Sequence, residues 1–237
     1  MSFGNKTVIV TGAAGNLGKA VAQAFAELGA NLVLVDLKRE SLTAAFGAEN
    51  DHRLFAPANL LEMAGASGAS GVAQAALARF GRIDVLCNIA GGFRMGETVH
   101  ETSDENWNFL FDINARTLLH AVRAVVPHMA AAGGGKIVNV GAFAAQKGVA
   151  QMGAYTAAKG TVIRMTEAMA AELREQHINV NCVLPTIIDT PENRAAMPNA
   201  DPAKWVAPAD LANVMVFLAS DAARAVHGAA VPVTSLS

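Results

Sequence analysis

The chain has 237 residues, of which 52% are hydrophobic and 16% charged, and its formal net charge is −2. This length suffices for one large α/β domain with a well-buried core, so we expect a single domain over 1–237. Because the sequence contains no basic run, nucleic acid and anionic membranes are poor candidate partners. No apolar stretch reaches the roughly 18 residues of a membrane span. The N-terminus does not resemble a signal peptide, so we expect a cytoplasmic protein.

Short β-branched runs alternate with longer Ala-rich stretches. The predicted strands are KTVIVTG, ANLVLVDL, HRLFAPA, IDVLCNIAG, GKIVNVGA, INVNCVLP and AAVPVT. The predicted helices span 16–28, 39–47, 62–80, 104–132, 153–176 and 208–219. A strand followed by a helix, repeated, predicts a parallel sheet with right-handed crossovers. Near-continuous apolar strands indicate helices on both faces, so the expected fold class is α/β, a doubly wound Rossmann-type sheet of about seven strands.

Two segments fit neither element type. Residues 91–104 follow the fourth predicted strand, and residues 186–206 follow the sixth. Open parallel sheets bind ligands beyond the carboxyl ends of their strands, so 186–206 is predicted to be a substrate loop. Cys87 and Cys182 lie inside apolar strands. We therefore expect buried free thiols, with neither a disulfide nor a metal site.

The first strand, the turn after it and the first helix form a candidate nucleotide site. Gly12, Gly15 and Gly18 lie in the turn, where backbone N–H groups can approach a pyrophosphate at a helix N-terminus. Asp36 follows the second strand, and its carboxylate can accept hydrogen bonds from both ribose hydroxyls while repelling a 2′-phosphate. Strand, turn, helix and acid together predict NAD(H) as the preferred cofactor. Two basic residues shortly after the acid keep NADP(H) possible.

Tyr155 and Lys159 lie four residues apart on the fifth predicted helix and therefore share one face. A phenol has a pKa of about 10 in isolation. A neighbouring ammonium favours the phenolate, so the pair predicts an acid/base catalyst. Surface pairs of this spacing are common, but Tyr155 is the only tyrosine and it opens a helix just after the carboxyl end of a strand. That location favours catalysis.

Five motifs give the chain a family resemblance. TGAAGNLG, NIAG at 88–91, Asn114 in DINART, Tyr155-x-x-x-Lys159 and LPTIIDTP at 184–191 resemble motifs of the short-chain dehydrogenase/reductases. The resemblance covers nearly the whole chain. It implies that Tyr155 donates a proton and that Lys159 clamps the ribose and lowers the phenol pKa. It also implies that Asn114 holds a water in a proton relay.

The same resemblance implies which residues contact the cofactor. They lie in the glycine-rich turn, after the second, third and fourth strands, at the catalytic pair and after the sixth strand. These residues are Gly12, Gly15, Asn16, Leu17, Gly18, Asp36, Leu37, Asn59, Leu60, Asn88, Ala90, Gly91, Tyr155, Lys159, Pro185, Ile188 and Thr190. Asn59 takes the place of the family's adenine-contacting aspartate.

The chain departs from the family pattern at four positions. Asn16 replaces the central glycine of the turn, Ile89 replaces the second Asn of NNAG, and Thr186 replaces the glycine after Pro185. Ala142 stands at the position of the catalytic serine, which in the family donates a hydrogen bond to the reacting carbonyl oxygen. Losing one such donor typically costs ~10²–10³ in rate. The loss would hinder a ketone reductase more than a reductase of an electron-poor quinonoid ring.

One branch of the family, the dihydropteridine reductases, lacks this serine and keeps the Tyr and Lys. GAFAAQKGVAQMGAYTAAKG, LPTIIDTPENRAAMPNADPAKW and AGGF at 90–93 resemble segments of that branch, whereas DINART and NIAG are closer to the general family. The resemblance makes Phe93 and Trp205 candidate walls for a flat ring. Gln146 and Met152 are further candidate substrate contacts. The alternative for Phe93 and for Trp205 is that the aromatic side chain packs within its loop and contacts no substrate.

Three functions remain open at this point. The favoured hypothesis is an NAD(P)H-dependent reductase of a flat conjugated acceptor such as quinonoid dihydropterin. The alternatives are a ketone or 3-oxoacyl reductase that works without the serine, and an NAD-binding sensor without catalysis. Retention of the acid/base residues argues against the sensor. The family's usual helix pairing implies a homodimer or homotetramer through 104–132 and 153–176, with a small-molecule substrate as the other partner.

Overall fold

Seven parallel strands form one sheet in the order β3-β2-β1-β4-β5-β6-β7. The computed structural model describes residues 1–237. The strands are β1 (Thr7–Thr11), β2 (Asn31–Val35), β3 (Arg53–Phe55), β4 (Val85–Asn88), β5 (Gly135–Val140), β6 (Ile178–Pro185) and β7 (Ala230–Val233). Each strand lies inside one of the predicted runs. The doubly wound α/β fold class is therefore confirmed.

Helices connect the strands and account for all six predicted helical segments. They are α1 (Asn16–Glu27), α2 (Arg39–Phe46), α3 (Ala69–Phe80), α4 (Asp104–Phe111), α5 (Thr117–Ala131), α6 (Gly153–Leu173), α7 (Pro191–Ala196) and α8 (Pro208–Leu218). A π-helical turn at Asp112–Arg116 joins α4 to α5. The short helix α7 lies in a segment that the sequence predicted to be irregular.

The predicted helix over 62–80 is wrong in its first part, because α3 begins only at Ala69. Residues 64–68 are Ala, Gly and Ser, and glycine is a poor helix former. Gly65 has a left-handed φ of 87°. The chain instead folds back on itself, and the backbone N–H of Asn59 donates to the carbonyl of Ser67 at 2.8 Å.

The apolar core forms two layers, one on each face of the sheet. On one face α1 and α8 bury Phe25 and Met215 completely against the strands. On the other face α3, α5 and α6 bury side chains such as Val125 and Val162. Burying a side chain of this size stabilises the fold by ~1.5–3 kcal/mol. The predicted cover on both faces is thus present.

The strand order reverses at β1, which pairs with β2 on one side and with β4 on the other. After β1 the chain continues into α1 on one face of the sheet, and after β4 it continues toward α5 on the other face. The loops after the carboxyl ends of β1 and β4 therefore separate and open a crevice, which is where open α/β sheets bind ligands. The topology fixes the location of the candidate site before any side chain is considered.

Cys87 and Cys182 are buried free thiols, as predicted. Burial raises the pKa of Cys182 to about 11 and raises that of Cys87 well above its usual range. Neither thiol is therefore a reactive thiolate near neutral pH. No helix combines the length and the apolar composition that crossing a membrane would require. The predicted pairing of copies through 104–132 and 153–176 stays a prediction.

Candidate active site

A cavity of about 590 Å³ opens in the crevice between β1 and β4. Sixteen residues predicted from the sequence line it: Gly12, Gly15, Asn16, Leu17, Gly18, Asp36, Leu37, Asn59, Leu60, Ala90, Gly91, Phe93, Tyr155, Lys159, Ile188 and Thr190. The structure adds lining residues that were not predicted: Val35, Ala58, Leu61, Ile89, Gly92, Ile113, Thr117, Val140 and Glu192. The predicted nucleotide turn and the predicted catalytic pair therefore face one cavity.

The glycine-rich turn brings the start of α1 against its own strand. A Cβ atom at Gly18 would lie 2.2 Å from the carbonyl oxygen of Gly12, a distance that only glycine avoids. Gly15 caps α1 without a side-chain hydrogen bond, and the first turn contains no acidic residue. The first N–H groups of a helix have no intrahelical acceptor. These donors and the positive end of the helix dipole are suited to a pyrophosphate.

Asn16, which replaces a family glycine, links the turn to the predicted substrate loop. Its side-chain amide donates to Oε2 of Glu192 at 2.8 Å. Glu192 lies in the first turn of α7, and its carboxylate pKa is lowered by hydrogen bonds from its own backbone, Thr190 and Asn16 and by the charge of Lys19. The loop 186–206 is therefore fastened across the mouth of the cavity.

Asp36 is held in place by the backbone. Its Oδ2 accepts from the N–H of Ala14 at 3.0 Å, and its Oδ1 accepts from the N–H of Leu37 at 2.8 Å. A carboxylate offers about four lone-pair sites, so both oxygens keep acceptor capacity for hydroxyl groups. The fixed negative charge lies where the sequence placed the adenosine ribose.

The two basic residues after Asp36 do not form a pair of free cations beside it. Arg39 donates to Oε2 of Glu49 at 2.8 Å, and its guanidinium lies 5.9 Å from the centre of the Phe55 ring. Arg39 is therefore engaged with the loop before β3. Of the two, only Lys38 remains without a carboxylate within salt-bridge distance. This arrangement favours a 2′-hydroxyl over a 2′-phosphate at Asp36.

Thr11 is a positioning residue that the sequence analysis did not single out. Its Oγ1 accepts from the N–H groups of Ile89 and Ala90, at 2.9 and 3.1 Å, and donates to the carbonyl of Cys87 at 3.4 Å. The side chain ties the end of β1 to the end of β4. The sequence signal for this positioning role was a threonine directly before the glycine-rich turn, because a buried hydroxyl group needs hydrogen-bond partners.

Asn114 lies on the π-helical turn and is buried. Its Oδ1 accepts from the N–H of Gly92 at 3.1 Å, and its Nδ2 donates to the carbonyls of Gly92 and Leu110 at 3.0 and 2.9 Å. π-bulges are frequent at functional sites because they redirect a side chain. Asn114 does not line the cavity, and its observed contacts fix the loop after β4.

Lys159 is 6% exposed, and its Nζ donates to the carbonyl oxygen of Val140 at 2.8 Å. This hydrogen bond ties α6 to the end of β5. Burial lowers the pKa of Lys159 to about 8, with the charge of Cys182 as a smaller opposing effect. At neutral pH the side chain is still an ammonium, which points to a role that needs positive charge inside the site.

Tyr155 lies one turn before Lys159 and is covered by Phe93. The two rings meet edge to face, with their centres 4.8 Å apart and an angle of 88° between the planes. Burial raises the pKa of Tyr155 to about 12. Loss of water causes this shift, whose direction is opposite to the one expected from the lysine; the lowering of the phenol pKa by Lys159 stays a prediction. The phenol keeps its proton at neutral pH.

Ala142 follows β5 and precedes a 3₁₀ turn at Phe143–Gln146. Only 5% of the residue is exposed, and no side-chain hydroxyl is available at this position. Gln146, a predicted substrate contact, is exposed and bonds locally through Nε2 to the carbonyl of Phe143 at 3.4 Å. The structure therefore brings no replacement donor from Gln146 into the cavity.

Several predicted residues lie away from the cavity lining. Trp205 is 6% exposed and does not line the cavity, which corrects its assignment as a substrate wall. Val206 beside it pairs with the start of the loop: its N–H donates to the Ile187 carbonyl, and the N–H of Asp189 donates to the Val206 carbonyl. The other predicted residues outside the lining are Asn88, Asn114, Ala142, Gln146, Met152 and Pro185.

Asn88 has a structural role. Its Nδ2 donates to Oδ1 of Asn139 at 2.9 Å, and Asn139 in turn donates to Oγ1 of Thr166 at 2.9 Å. These polar side chains lie inside the core between β4, β5 and α6. The Oδ1 of Asn88 is buried without a hydrogen-bond partner. Such a network fixes the relative positions of the elements that carry Gly91, Val140 and Lys159.

Comparison with known proteins shows the family of the chain. A family model described as short chain dehydrogenase matches residues 6–201. D-threitol dehydrogenase from Mycolicibacterium smegmatis is 35% identical over 237 residues, which cover 94% of this chain and 89% of that protein.

Solved structures agree as well. Carveol dehydrogenase from Mycobacterium avium, in complex with NAD, matches with a TM-score of 0.87 and 27% identity over 97% of this chain and 96% of that one. A 3-ketoacyl-(acyl-carrier-protein) reductase from Brucella melitensis, complexed with NADH, gives a TM-score of 0.87 and 27% identity over 99% and 98%.

The fold and the cavity are those of a dinucleotide-binding oxidoreductase. The chain belongs to the short-chain dehydrogenase/reductase family, as its motifs indicated. The finer resemblance to the dihydropteridine reductases stays a prediction.

Substitution of Gly91 tests the close packing around the catalytic pair. A Cβ atom there would lie 2.8 Å from Oδ1 of Asn114 and 3.2 Å from Nζ of Lys159. We expect Gly91→Ala to displace both polar atoms, to lower the free energy of unfolding by ~1–3 kcal/mol and to lower kcat by ~10-fold or more. Urea unfolding and steady-state kinetics measure these effects. Gly148→Ala is the control, since a Cβ atom there meets nothing within 4 Å; wild-type behaviour of Gly91→Ala would contradict the packing argument.

The buried ammonium predicts a pH-dependent stability. The pKa of Lys159 is about 8 in the folded chain and has an ordinary value of 10.5. Between these pH values the unfolded chain binds more protons, so Lys159 adds stability as the pH rises. We expect Lys159→Met to remove this contribution, so the stability of the variant relative to the wild type falls by up to ~3 kcal/mol between pH 7 and pH 10. Urea unfolding across this range measures the difference, and parallel profiles would rule out a depressed lysine pKa.

Proposed function

We propose that this protein is an NAD(H)-dependent reductase of a flat, conjugated, electron-poor acceptor, such as a quinonoid dihydropterin. One observation carries the proposal: a proton-donating phenol lies beside a buried lysine, while Ala142 occupies the position of the hydroxyl that polarises a carbonyl in related enzymes. Localisation in the cytoplasm and assembly into a homodimer or homotetramer belong to the same proposal.

The residues of the cavity fit an NAD cofactor. The uncapped start of α1 and the close approach at Gly18 form a cradle for a pyrophosphate. Asp36 offers free acceptor positions for ribose hydroxyls, and Arg39 is turned away toward Glu49. Ile188 and Thr190 in the substrate loop line the other end of the cavity. The solved relatives described above contain NAD and NADH, which supports the same cofactor here.

When bound, NADH supplies a hydride. The chain itself supplies the proton, because the pKa of about 12 keeps the Tyr155 phenol protonated. A general acid of this kind contributes typically ~10²–10⁴ in rate. The Lys159 ammonium stabilises the phenolate that remains after proton transfer. Lys159 is buried and Tyr155 is half-buried, and charges interact more strongly where less water surrounds them. A proton can then return to Tyr155 from solvent between turnovers.

The alanine at position 142 supports a quinonoid ring over a ketone as the acceptor. A ketone gains negative charge on oxygen during reduction and depends on hydrogen-bond donors at that oxygen. A quinonoid ring regains aromaticity on reduction, so it accepts a hydride with less help. Phe93 supports a flat substrate as well, since its ring is 53% exposed and lies at the edge of Tyr155. An aromatic side chain so placed provides a surface for a planar ring.

A second candidate is the oxidoreduction of a secondary alcohol and its ketone. The names of the relatives, D-threitol dehydrogenase, carveol dehydrogenase and 3-ketoacyl reductase, favour it. This activity would have to proceed without a serine hydroxyl at position 142. The two candidates differ in substrate and share cofactor and proton donor.

Replacing Asp36 tests the cofactor preference. Asp36→Ala removes the fixed negative charge that a 2′-phosphate would face and removes an acceptor for the ribose hydroxyls. We expect kcat/KM to fall with NADH and to rise with NADPH, so that their ratio changes by ~10-fold or more, which corresponds to ~1.4 kcal/mol. Initial rates with both cofactors measure the ratio. Glu40→Ala, on the exposed surface of α2, is the control. An unchanged ratio in Asp36→Ala would refute the role of the carboxylate.

A substrate panel tests the proposed acceptor. With NADH, we expect faster turnover of quinonoid dihydropterin than of a 3-oxoacyl thioester or a cyclic ketone. Ala142→Ser should raise kcat/KM for the ketones by ~10-fold or more, because it restores a donor to the carbonyl oxygen, and should change the quinonoid rate little. Stopped-flow absorbance of NADH at 340 nm follows each reaction.

Tyr155→Phe is the control for general acid catalysis and should lower every enzymatic rate by ~10²-fold or more. Fast ketone turnover by the wild-type protein, together with no quinonoid activity, would replace the proposal by the second candidate. NADH binding without turnover of any acceptor would favour the sensor.

A further inference from the structure

A second cavity, of about 910 Å³, lies at the opposite edge of the sheet from the dinucleotide site. It is lined by residues at the amino ends of three strands: Asp84 before β4, Lys136 at the start of β5 and Asn179 at the start of β6. Its other walls are the N-terminal residues, the turn between α5 and β5, the segment between α6 and β6, and the segment between α8 and β7. Residues of the catalytic site do not reach this edge.

The lining of this cavity is strongly basic. Five side chains carry positive charge, and two carry negative charge. The cations are Lys6, Arg82, Lys136, Arg174 and Arg224, and the anions are Asp84 and Asp221. In a chain whose net charge is −2, such a concentration of cations on one concave surface is a local feature and does not follow from the overall composition.

The acids do not neutralise all of these cations. Asp84 forms ion pairs with Lys6 at 3.2 Å and with Arg82 at 2.6 Å. Asp221 lies beyond ion-pair distance of Lys136. Its charge raises the lysine pKa, whereas burial lowers it. Three cations, Lys136, Arg174 and Arg224, therefore face the cavity without a carboxylate within 4 Å.

Lys136 is held in position as part of a buried network. Its Nζ donates to Oδ1 of Asn179 at 2.6 Å, and Asn179 is 5% exposed. Nδ2 of Asn179 donates to the backbone carbonyls of Arg224 and Val226, at 2.9 and 3.0 Å. One amide thus fixes both the ammonium and the segment that carries Arg224. Burial lowers the pKa of Lys136, as expected for a cation that lacks an anionic partner.

The remaining lining restricts the type of ligand. The N–H groups of Gly133, Gly134 and Gly135 all donate to backbone carbonyls, so the glycine run offers no free donors. Apart from histidine imidazoles, the lining contains one aromatic ring, that of Phe3, and this ring is buried in the core. A purine or pyrimidine base therefore has no exposed aromatic ring on which to stack. Recognition must come from the ammonium and guanidinium groups.

We propose that the cavity formed around Lys136, Arg174 and Arg224 binds a compact, multiply charged phosphate compound, such as a polyphosphate or a small phosphorylated metabolite. A guanidinium group can donate two parallel hydrogen bonds to oxygens of one phosphate group, and a fixed ammonium adds a point charge between the two guanidinium groups. The volume exceeds that of a single inorganic phosphate and accommodates a chain of several phosphate groups. The inference is independent of the substrate proposed for the catalytic site.

Calorimetric titration with sodium tripolyphosphate tests the site at constant ionic strength, with and without saturating NADH in the dinucleotide cavity. We expect one tripolyphosphate per chain under both conditions. The double variant Arg174→Gln/Arg224→Gln should bind ~10-fold more weakly or worse, because two charge-assisted contacts are lost. Both arginines are exposed, so the variant is expected to fold. Thermal unfolding checks this and should show a smaller ligand-induced rise in Tm for this variant than for the wild type.

A charge-matched control separates a site from general attraction. Arg39→Gln/Arg79→Gln removes two exposed cations that do not line the cavity and lie outside the segments predicted to pair copies of the chain, and it should bind tripolyphosphate as the wild type does. Equal weakening in both double variants would overturn the proposal, as would the absence of binding. Citrate and a Glu-rich peptide at the same ionic strength are the chemical controls. If either bound as tightly as tripolyphosphate, the assignment to phosphate would be wrong.

Discussion

The hydrogen bond from the buried Lys159 ammonium to the Val140 carbonyl is the contact on which the rest of the site depends. It joins the helix that carries Tyr155 to the end of the strand that leads to Ala142. Because the ammonium lies in a nearly dry environment, its neighbours must leave room for it, which explains the glycine at position 91. Asn114 closes the same space from the side of the π-helical turn. The cavity and the Tyr155 phenol are thereby held in one geometry.

The departures from the family pattern are supported by contacts elsewhere in the chain. Asn16 donates to Glu192 and thereby links the turn to the loop. Oγ1 of Thr186 donates to the carbonyl of Thr234, which joins the start of the same loop to the C-terminal segment. Ile89, in place of a polar residue, packs against the apolar core. Ala142 is buried and offers no hydroxyl group in place of the serine, and this is the departure on which the proposed acceptor rests.

The two edges of the sheet have opposite electrostatic character. At the carboxyl edge, Asp36 and Glu192 line a cavity whose binding groups are mainly backbone N–H groups at a helix start. At the amino edge, arginine and lysine side chains provide the positive charge. A parallel sheet places all strand ends of one kind together, so one fold can carry two separate anion-binding surfaces. Only the first adjoins the phenol.

The sequence by itself determined the seven strands, the glycine-rich turn, Asp36 and the Tyr155–Lys159 pair, because these depend on local periodicity and on spacing within one element. It did not determine where α3 begins, since the segment around Gly65 folds back through non-helical backbone hydrogen bonds such as the one from Asn59 to Ser67. Nor did it determine the burial of Trp205, the exposure of Phe93 or the direction of the Tyr155 pKa shift. Each of these three properties depends on the side chains and the water that surround a group. Only the packing of segments distant in the sequence decides those surroundings.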